Sequence, residues 1–507
     1  MSSKDINDPV LVTQILNARS LRDKLWSDVH RPRYHFLPPE GYFNDANGVM
    51  YWNGRYHLFY LGKILIRGTD GEESWGGTWD HSSSHDLVHW IHHPSAIHPK
   101  QDGSTPRGIY SGGAVRNAPQ PTLIYHVPNQ GICISTSNDP YLIKWDEHPA
   151  NPVIPEVFDE EYVVFDPCGW YENGVYYALV GNKSRRPGYE GDCTSLFVSE
   201  DLVRWEYRGP FYRSSRKWTD EIEDCACPDF FPLGDKFMLL MHGHKPYGQV
   251  HYYLGQLKNE EYFPETHGRM NWPGGQISGP ETLLDENERR VFFGWIREAR
   301  DWEPYGWAST MSIPRILSLD HNGQLRIEPA TELEPLRVKH QRQSNIEIMD
   351  GQLTSIPNMI GDCIELDLTV DMGTATQFSI IVRMTPNGEE ATPIVVCRQS
   401  NTIRIELGKS TLDTQISYEN PVELNTGKFA CLDAQEAPFF LEQNENLNLR
   451  IFIDRSVLEV FANSRQCLTQ RIYPTRSDSH YLALSCKGGT ALVKNLDKWD
   501  MLPTNPF

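Results

Sequence analysis

One kind of hairpin, repeated five times, limits what this sequence can fold into. Gly48–Gly62, Gly112–Val127, Cys168–Gly181, Asp229–Gly243 and Glu281–Trp295 each run from an apolar strand through a turn into a strand rich in aromatic or branched residues. The dipeptides Asn53-Gly54, Asn173-Gly174 and Gly234-Asp235 suit type I′ and II′ turns, which need positive φ. Successive hairpins begin roughly 50–65 residues apart, room for four short strands each, which is the size of a propeller blade. A second motif recurs outside the hairpins. Ser84-His-Asp86-Leu-Val-His-Trp90 and Ser199-Glu-Asp201-Leu-Val-Arg-Trp205 are near copies, and Ser137-Asn-Asp139 with Trp145 is a looser third. It reads as a structural turn into an outer strand. Five hairpins predict five blades, closed radially so that the sheet edges are protected.

Near Arg326–Arg337 the repeat stops and a polar stretch follows. Beyond it, Ile364–Val370, Leu449–Asp454 and Val457–Phe461 alternate with period two, as strands of a β-sandwich do. The expected fold is all-β: a five-bladed β-propeller over residues 1–338, a linker at 339–344, and a C-terminal β-sandwich over 345–507. Residues 1–30 form an extension with a short helix near Leu11–Leu25. Two domains suit a chain of 507 residues.

The net charge of -20 argues against a nucleic-acid partner, whose phosphates attract basic surfaces. No window reaches 18 apolar residues, so no membrane partner is expected. Ten cysteines are too sparse for a disulfide framework and read as reduced thiols. The start, Met1-Ser-Ser-Lys-Asp, lacks the basic-then-apolar pattern of a secretory leader. A cytoplasmic location is expected, or secretion if a leader has been removed. An exposed sandwich edge is a surface on which a homodimer could form.

Propellers bind ligands where the innermost strands meet, so functional side chains should lie just upstream of each hairpin. Asp45 lies nine residues before Gly54, Asp166 eight before Gly174, and Glu223, Asp224 and Asp229 lie up to eleven before Gly234. Acidic segments at matching places in three blades would converge on one axis. Converging carboxyls suit glycoside cleavage, in which one attacks or stabilises positive charge and the other donates a proton. Grouped carboxylates also bind Ca²⁺. With no DxDxDG-type loop and no paired His spacing, neither a metal nor a cofactor is expected.

These residues are similar to the motifs of glycoside hydrolase family 32, the invertase, inulinase and levanase group. Gly41-Tyr-Phe-Asn44-Asp45-Ala-Asn47-Gly48 resembles WMNDPNG, and Tyr56–Leu61 resembles YHLFYQ. Trp75 to Trp90 resembles WGHATSxDLVHW, Tyr110–Ala114 resembles FSGSA, and Phe165-Asp166-Pro167 resembles RDP. Cys227–Asp235 resembles the tail of WECPDFFPLGD, and Leu449–Asn463 matches the sandwich. The resemblance runs in the family's order from about residue 31 to the end. It implies a retaining hydrolase of fructosyl, or similarly shaped furanosyl, glycosides. Asp45 would be the nucleophile and Asp166 the transition-state stabiliser. Asn44, Trp79, Tyr110 and Ser111 would line the sugar pocket, with Trp75 and Trp295 offering flat apolar faces or packing in the blades.

Three positions depart from the family. Its acid/base Glu is Ala226, the Arg of its RDP is Phe165, and its Gln after Phe-Tyr is Leu61. Losing an acid and a cation together leaves neither unpaired, which reads as a remodelled pocket more than a single knock-out. Asp224, two residues before Ala226 and on the same face of an extended strand, is the first candidate for a displaced acid. Glu223 is the second and Glu281 a distant third. A carbohydrate-binding homologue with impaired turnover and a fructosyltransferase are the competing functions.

Overall fold

The structure is a computed structural model that describes residues 9–67, 73–100, 105, 108–157, 162–181, 193–218, 225–243, 249–416, 418–421, 429–431 and 433–505. A helix, Pro9–Ser27, precedes the first blade. Blade one holds Gly41–Trp52, Arg55–Arg67, Glu73–Ser84 and Trp90–Ile97 in sequential antiparallel order. Blade two is built on Gly112–Arg116, Thr122–Val127 and Gly131–Thr136, with two short outer strands. Blade three holds Phe165–Glu172, Val175–Gly181, Cys193–Ser199 and Glu206–Arg213. Blade four holds Ala226–Leu233, Lys236–Gly243, Gln249–Lys258 and Glu261–Arg269. Blade five holds Ile277–Leu284, Arg290–Ile296, Arg315–Leu319 and Leu325–Pro329.

The ring is visible in which first strands touch. Blade one's meets blade two's, two's meets three's, three's meets four's, four's meets five's, and five's returns to blade one's. Trp307–Ala308, from the connection between the second and third strands of blade five, also pairs in parallel with Gly41–Tyr42. A strand contributed by the last blade thus completes the first one. The expected turns are present: Asn53 and Gly54 have φ of 49° and 76°, Asn173 and Gly174 of 51° and 87°.

The second motif is structural, as its position implied. Asp86 Oδ1 accepts the backbone N–H groups of Val88 and His89, and the Trp90 indole donates to Leu87 O. Asp201 with Trp205 repeats this geometry, and Asp139 with Trp145 varies it. Each turn spends its acid on backbone donors, so none is aimed at a ligand.

Two six-stranded antiparallel sheets follow the propeller and bury one large aliphatic core between them. Residues 339–344, read as a linker, lie inside the strand Arg337–Ile348, which pairs with Ala491–Met501. That strand is the edge of its sheet, and its outward side chains meet water, which accounts for its polar composition.

Candidate active site

Four of the five first strands carry an irregularity in register. The shifts fall between Phe43 and Ala46, Phe165 and Pro167, Ala226 and Asp229, and Ser278 and Glu281. A bulge re-aims side chains that plain alternation would send to the sheet faces. Asp45, Asp166 and Cys227 all lie within these interruptions. Asp166 has φ of 21° and Cys227 of 46°, sparsely populated values for residues with a Cβ.

The re-aimed groups converge. Ser111 Oγ donates to Asp45 Oδ2 at 2.7 Å. The Cys227 thiol lies 3.9 Å from Asp45 Oδ2 and 3.6 Å from Asp166 Oδ2, so one sulfur bridges the two acids. Burial, then the two neighbouring carboxylates, holds the Cys227 thiol well above its ordinary pKa, and it stays protonated as a donor. Asn47 braces the segment, accepting from Gly112 N at 3.2 Å and donating to Asp45 O at 3.1 Å. From blade five, Gly279 (φ 46°) passes so close that a Cβ there would sit 2.3 Å from Asp45 Oδ1. Only glycine fits that place and that conformation.

The other expected residues are distributed unevenly. Tyr110 and Phe165 both pack edge-on against His126, at 5.8 and 5.6 Å between ring centroids. Leu61 is 9 % exposed, and Ala226 is buried. Trp75 is 61 % exposed and offers a broad apolar surface. Trp79 has no exposed surface: its indole donates to Tyr110 O at 2.9 Å and its ring packs near Phe59 and Tyr125. It supports the pocket wall from behind. Trp295 is half-buried, opposite Ser278 and beside the Arg297 guanidinium. Asn44 bonds with the Tyr42 hydroxyl, whose pKa burial and Asp45 push up to about 12. Asp224 and Glu223 lie outside the described residues.

Sequence reasoning left Glu281 as a distant candidate acid and missed Arg297. Glu281 is buried and its carboxyl accepts the backbone N–H groups of Val49 and Ala114. Burial, then Asp229, raises its pKa well above the carboxylate range. It ties blades one, two and five together instead of facing a ligand. Asp229 does the same for blades two, four and five, accepting from Arg116 at 2.5 Å and from Thr282 N at 2.9 Å. Arg297 interacts through space with Asp45 and Tyr42, and burial lowers its pKa to about 10, leaving it a cation. Its only signal in the sequence is a basic residue two positions after Trp295.

Among the described residues no group of three or more His, Cys, Asp or Glu side chains could hold a metal ion. No helix among them is long and apolar enough to cross a membrane.

The family model for the glycosyl hydrolases family 32 N-terminal domain matches residues 35–329, and that for the family's C-terminal region matches 332–500. The chain belongs to glycosyl hydrolase family 32. Among its relatives, this family 32 chain is 28 % identical to β-fructofuranosidase, insoluble isoenzyme 4, of Oryza sativa subsp. japonica, over 93 % of this chain and 88 % of that protein. It is 28 % identical to the levanase of Bacillus subtilis, over 96 % of this chain and 72 % of that one. The crystal structure of fructan 1-exohydrolase IIa from Cichorium intybus in complex with 1-kestose superposes with a TM-score of 0.79 at 22 % identity, covering 94 % of this chain and 98 % of that one. The five-bladed propeller followed by a sandwich is thus the family 32 architecture, carried by a chain that has diverged far in sequence.

Proposed function

We propose that this protein is a retaining hydrolase that releases fructosyl, or similarly shaped furanosyl, units from oligosaccharides or fructans through a covalent intermediate on Asp45. The observation that carries this reading is the convergence of Asp45 and Asp166 on one bridging thiol, with Ser111 orienting the first carboxylate. In this reading an Asp45 oxygen attacks the anomeric carbon as the bond to the leaving oxygen breaks. Positive charge builds on the furanose ring and Asp166 stabilises it. Water then resolves the fructosyl ester with net retention. The hydroxyl of Ser111 and the thiol of Cys227 are neutral donors, so they orient the carboxylates while leaving their charge to act.

The relatives' names support a fructosyl substrate, since they include a β-fructofuranosidase and a levanase. The free thiols among the described residues suit a reducing compartment such as the cytoplasm. Ala226, where the family keeps its acid, favours a second reading: a binding protein with little turnover. Hydrolysis of an activated aryl β-fructofuranoside beside sucrose and inulin separates the two. Turnover by the parent chain, abolished in Asp45→Ala, supports the hydrolase. Sugar binding with no release from any of the three substrates would refute it.

A further inference from the structure

The residue directly across the sheet from Ala226 is His242. Directly opposed residues of an antiparallel pair project from the same face, with Cβ atoms about 4.5–5.5 Å apart. A side chain at 242 therefore shares the space that a longer side chain at 226 would occupy. Two further contacts tie His242 to the nucleophile. Its ring nitrogens lie 3.2 and 3.4 Å from Ser278 Oγ, and the residue after Ser278 is Gly279, which abuts the Asp45 carboxylate. Arg297 Nη2 donates to the same Ser278 Oγ at 3.3 Å, and Arg297 also interacts with Asp45.

We propose that His242 is the proton donor and acceptor of this enzyme, placed across the strand pair from the vacated acid position. This inference rests on the hydrolase reading above. As the Asp45 oxygen forms its bond to the anomeric carbon, the bond to the leaving oxygen breaks, and the imidazolium gives that oxygen a proton. The neutral imidazole then takes a proton from water, whose oxygen attacks the same carbon and expels Asp45. The cycle closes with an imidazolium, a free carboxylate and no external reagent. Ser278 suits both halves, because its hydroxyl rotates: it accepts from an imidazolium N–H and donates to the bare nitrogen of a neutral ring.

The test is leaving-group dependence in His242→Ala, His242→Gln and Asp224→Ala, each beside the parent. His242→Ala should lose roughly 10²–10⁴-fold in kcat/KM on whichever of sucrose or inulin the parent cleaves. Its loss on the activated aryl fructoside should be at least about tenfold smaller, because a good leaving group needs little protonation. Azide should raise turnover of the activated substrate in His242→Ala and yield fructosyl azide, since an anion attacks without a general base. His242→Gln keeps a polar side chain beside Ser278 and should show the same selectivity if the loss is of a proton and not of the fold. The assignment fails if both His242 variants cleave the natural substrate like the parent, or lose both substrates equally with no azide effect. It fails also if Asp224→Ala shows the selective loss instead. A parent chain that cleaves no fructoside at all would sink the hydrolase reading, and this inference with it.

Discussion

Two groups of carboxylates in this molecule are held in different ways. At the junction of propeller and sandwich, each acid meets a cation directly. Asp454 accepts the backbone N–H groups of Arg33, Tyr34 and His35 and the His35 ring at 2.9 Å. Glu459 pairs with Arg315 at 2.6 Å and with the other nitrogen of His35 at 3.2 Å. Glu298 meets Arg471 at 3.1 Å and Arg300 at 3.2 Å, and the Tyr473 hydroxyl donates to it. In the funnel, Asp45 and Asp166 are oriented by a hydroxyl and a thiol, while the nearby Arg297 donates to Ser278. Charge that is neutralised in place holds domains together. In the funnel a hydroxyl and a thiol donate hydrogen bonds to the acids, and the cation Arg297 acts on Asp45 through space. The motif Leu449–Asn463, quiet in any reading of the funnel, contributes Asp454 and Glu459 to this junction.

Four substitutions test that contrast. Asp45→Ala should cost roughly 10⁴-fold or more in kcat/KM, with a melting temperature close to the parent's; a large fall in stability would mean that Asp45 holds the fold. Glu459→Ala should do the reverse, destabilising by about 3–5 kcal/mol because Arg315 and His35 would lose a buried partner. Denaturant unfolding would read it, and activity per folded molecule should change little. Gly279→Ala should cost roughly 10²-fold in activity, since the new Cβ displaces the Asp45 carboxylate. Crystallography or thermal melting would show a fold otherwise intact. The smallest effect belongs to Ser111→Ala, which removes one hydrogen bond to a carboxylate and should lower kcat roughly tenfold.

The junction also carries a pH signature that the funnel does not need. Burial alone would raise the pKa of Asp454, but His35 and the backbone donors outweigh it and lower the value; Arg315 and His35 do the same for Glu459. Their stabilisation is present above the unfolded carboxylate range near pH 4 and is lost as pH falls through the lowered folded values. His35 is the mirror image. Burial opposes its charge, yet Asp454 and Glu459 raise its pKa. Its contribution is complete below about pH 6.5 and fades as pH rises through the raised folded value. Thermal stability should therefore peak in weak acid, and His35→Gln should flatten the alkaline limb. An unchanged alkaline limb would show that His35 is not charged in the fold.

Three of the five hairpins were legible from turn chemistry, which is local: Asn-Gly and Gly-Asp need nothing distant to specify them, and the strand pattern supplied the other two. Counting back from those turns pointed to three acidic segments; Asp45 and Asp166 lie beside one thiol, Cys227, while Asp229 of the third segment is tied to Arg116 and Thr282. Bulges were illegible, and they decide the site. Counted from the Leu233–Lys236 pair, plain alternation would set Ala226 against Gly243; the irregularity before Asp229 shifts the register by one and brings His242 there instead. Trp79 and the 339–344 stretch show a different limit. Whether an aromatic faces sugar or core, and whether a polar run is linker or edge strand, depends on neighbours from other strands: Phe59, Tyr110 and Tyr125 for Trp79, and Ala491–Met501 for the 339–344 stretch.

The pairing of Trp307–Ala308 with Gly41–Tyr42 has a consequence in time. The strand that carries Asp45 is made early, but its closing partner leaves the ribosome more than two hundred and fifty residues later. At ordinary synthesis rates that is a delay of roughly 15–50 s. Through that interval blade one has an open inner edge, and the funnel exists only as separate walls. Asp45 is thus among the first parts made, while the strand pairing that closes its blade is among the last to form in the propeller.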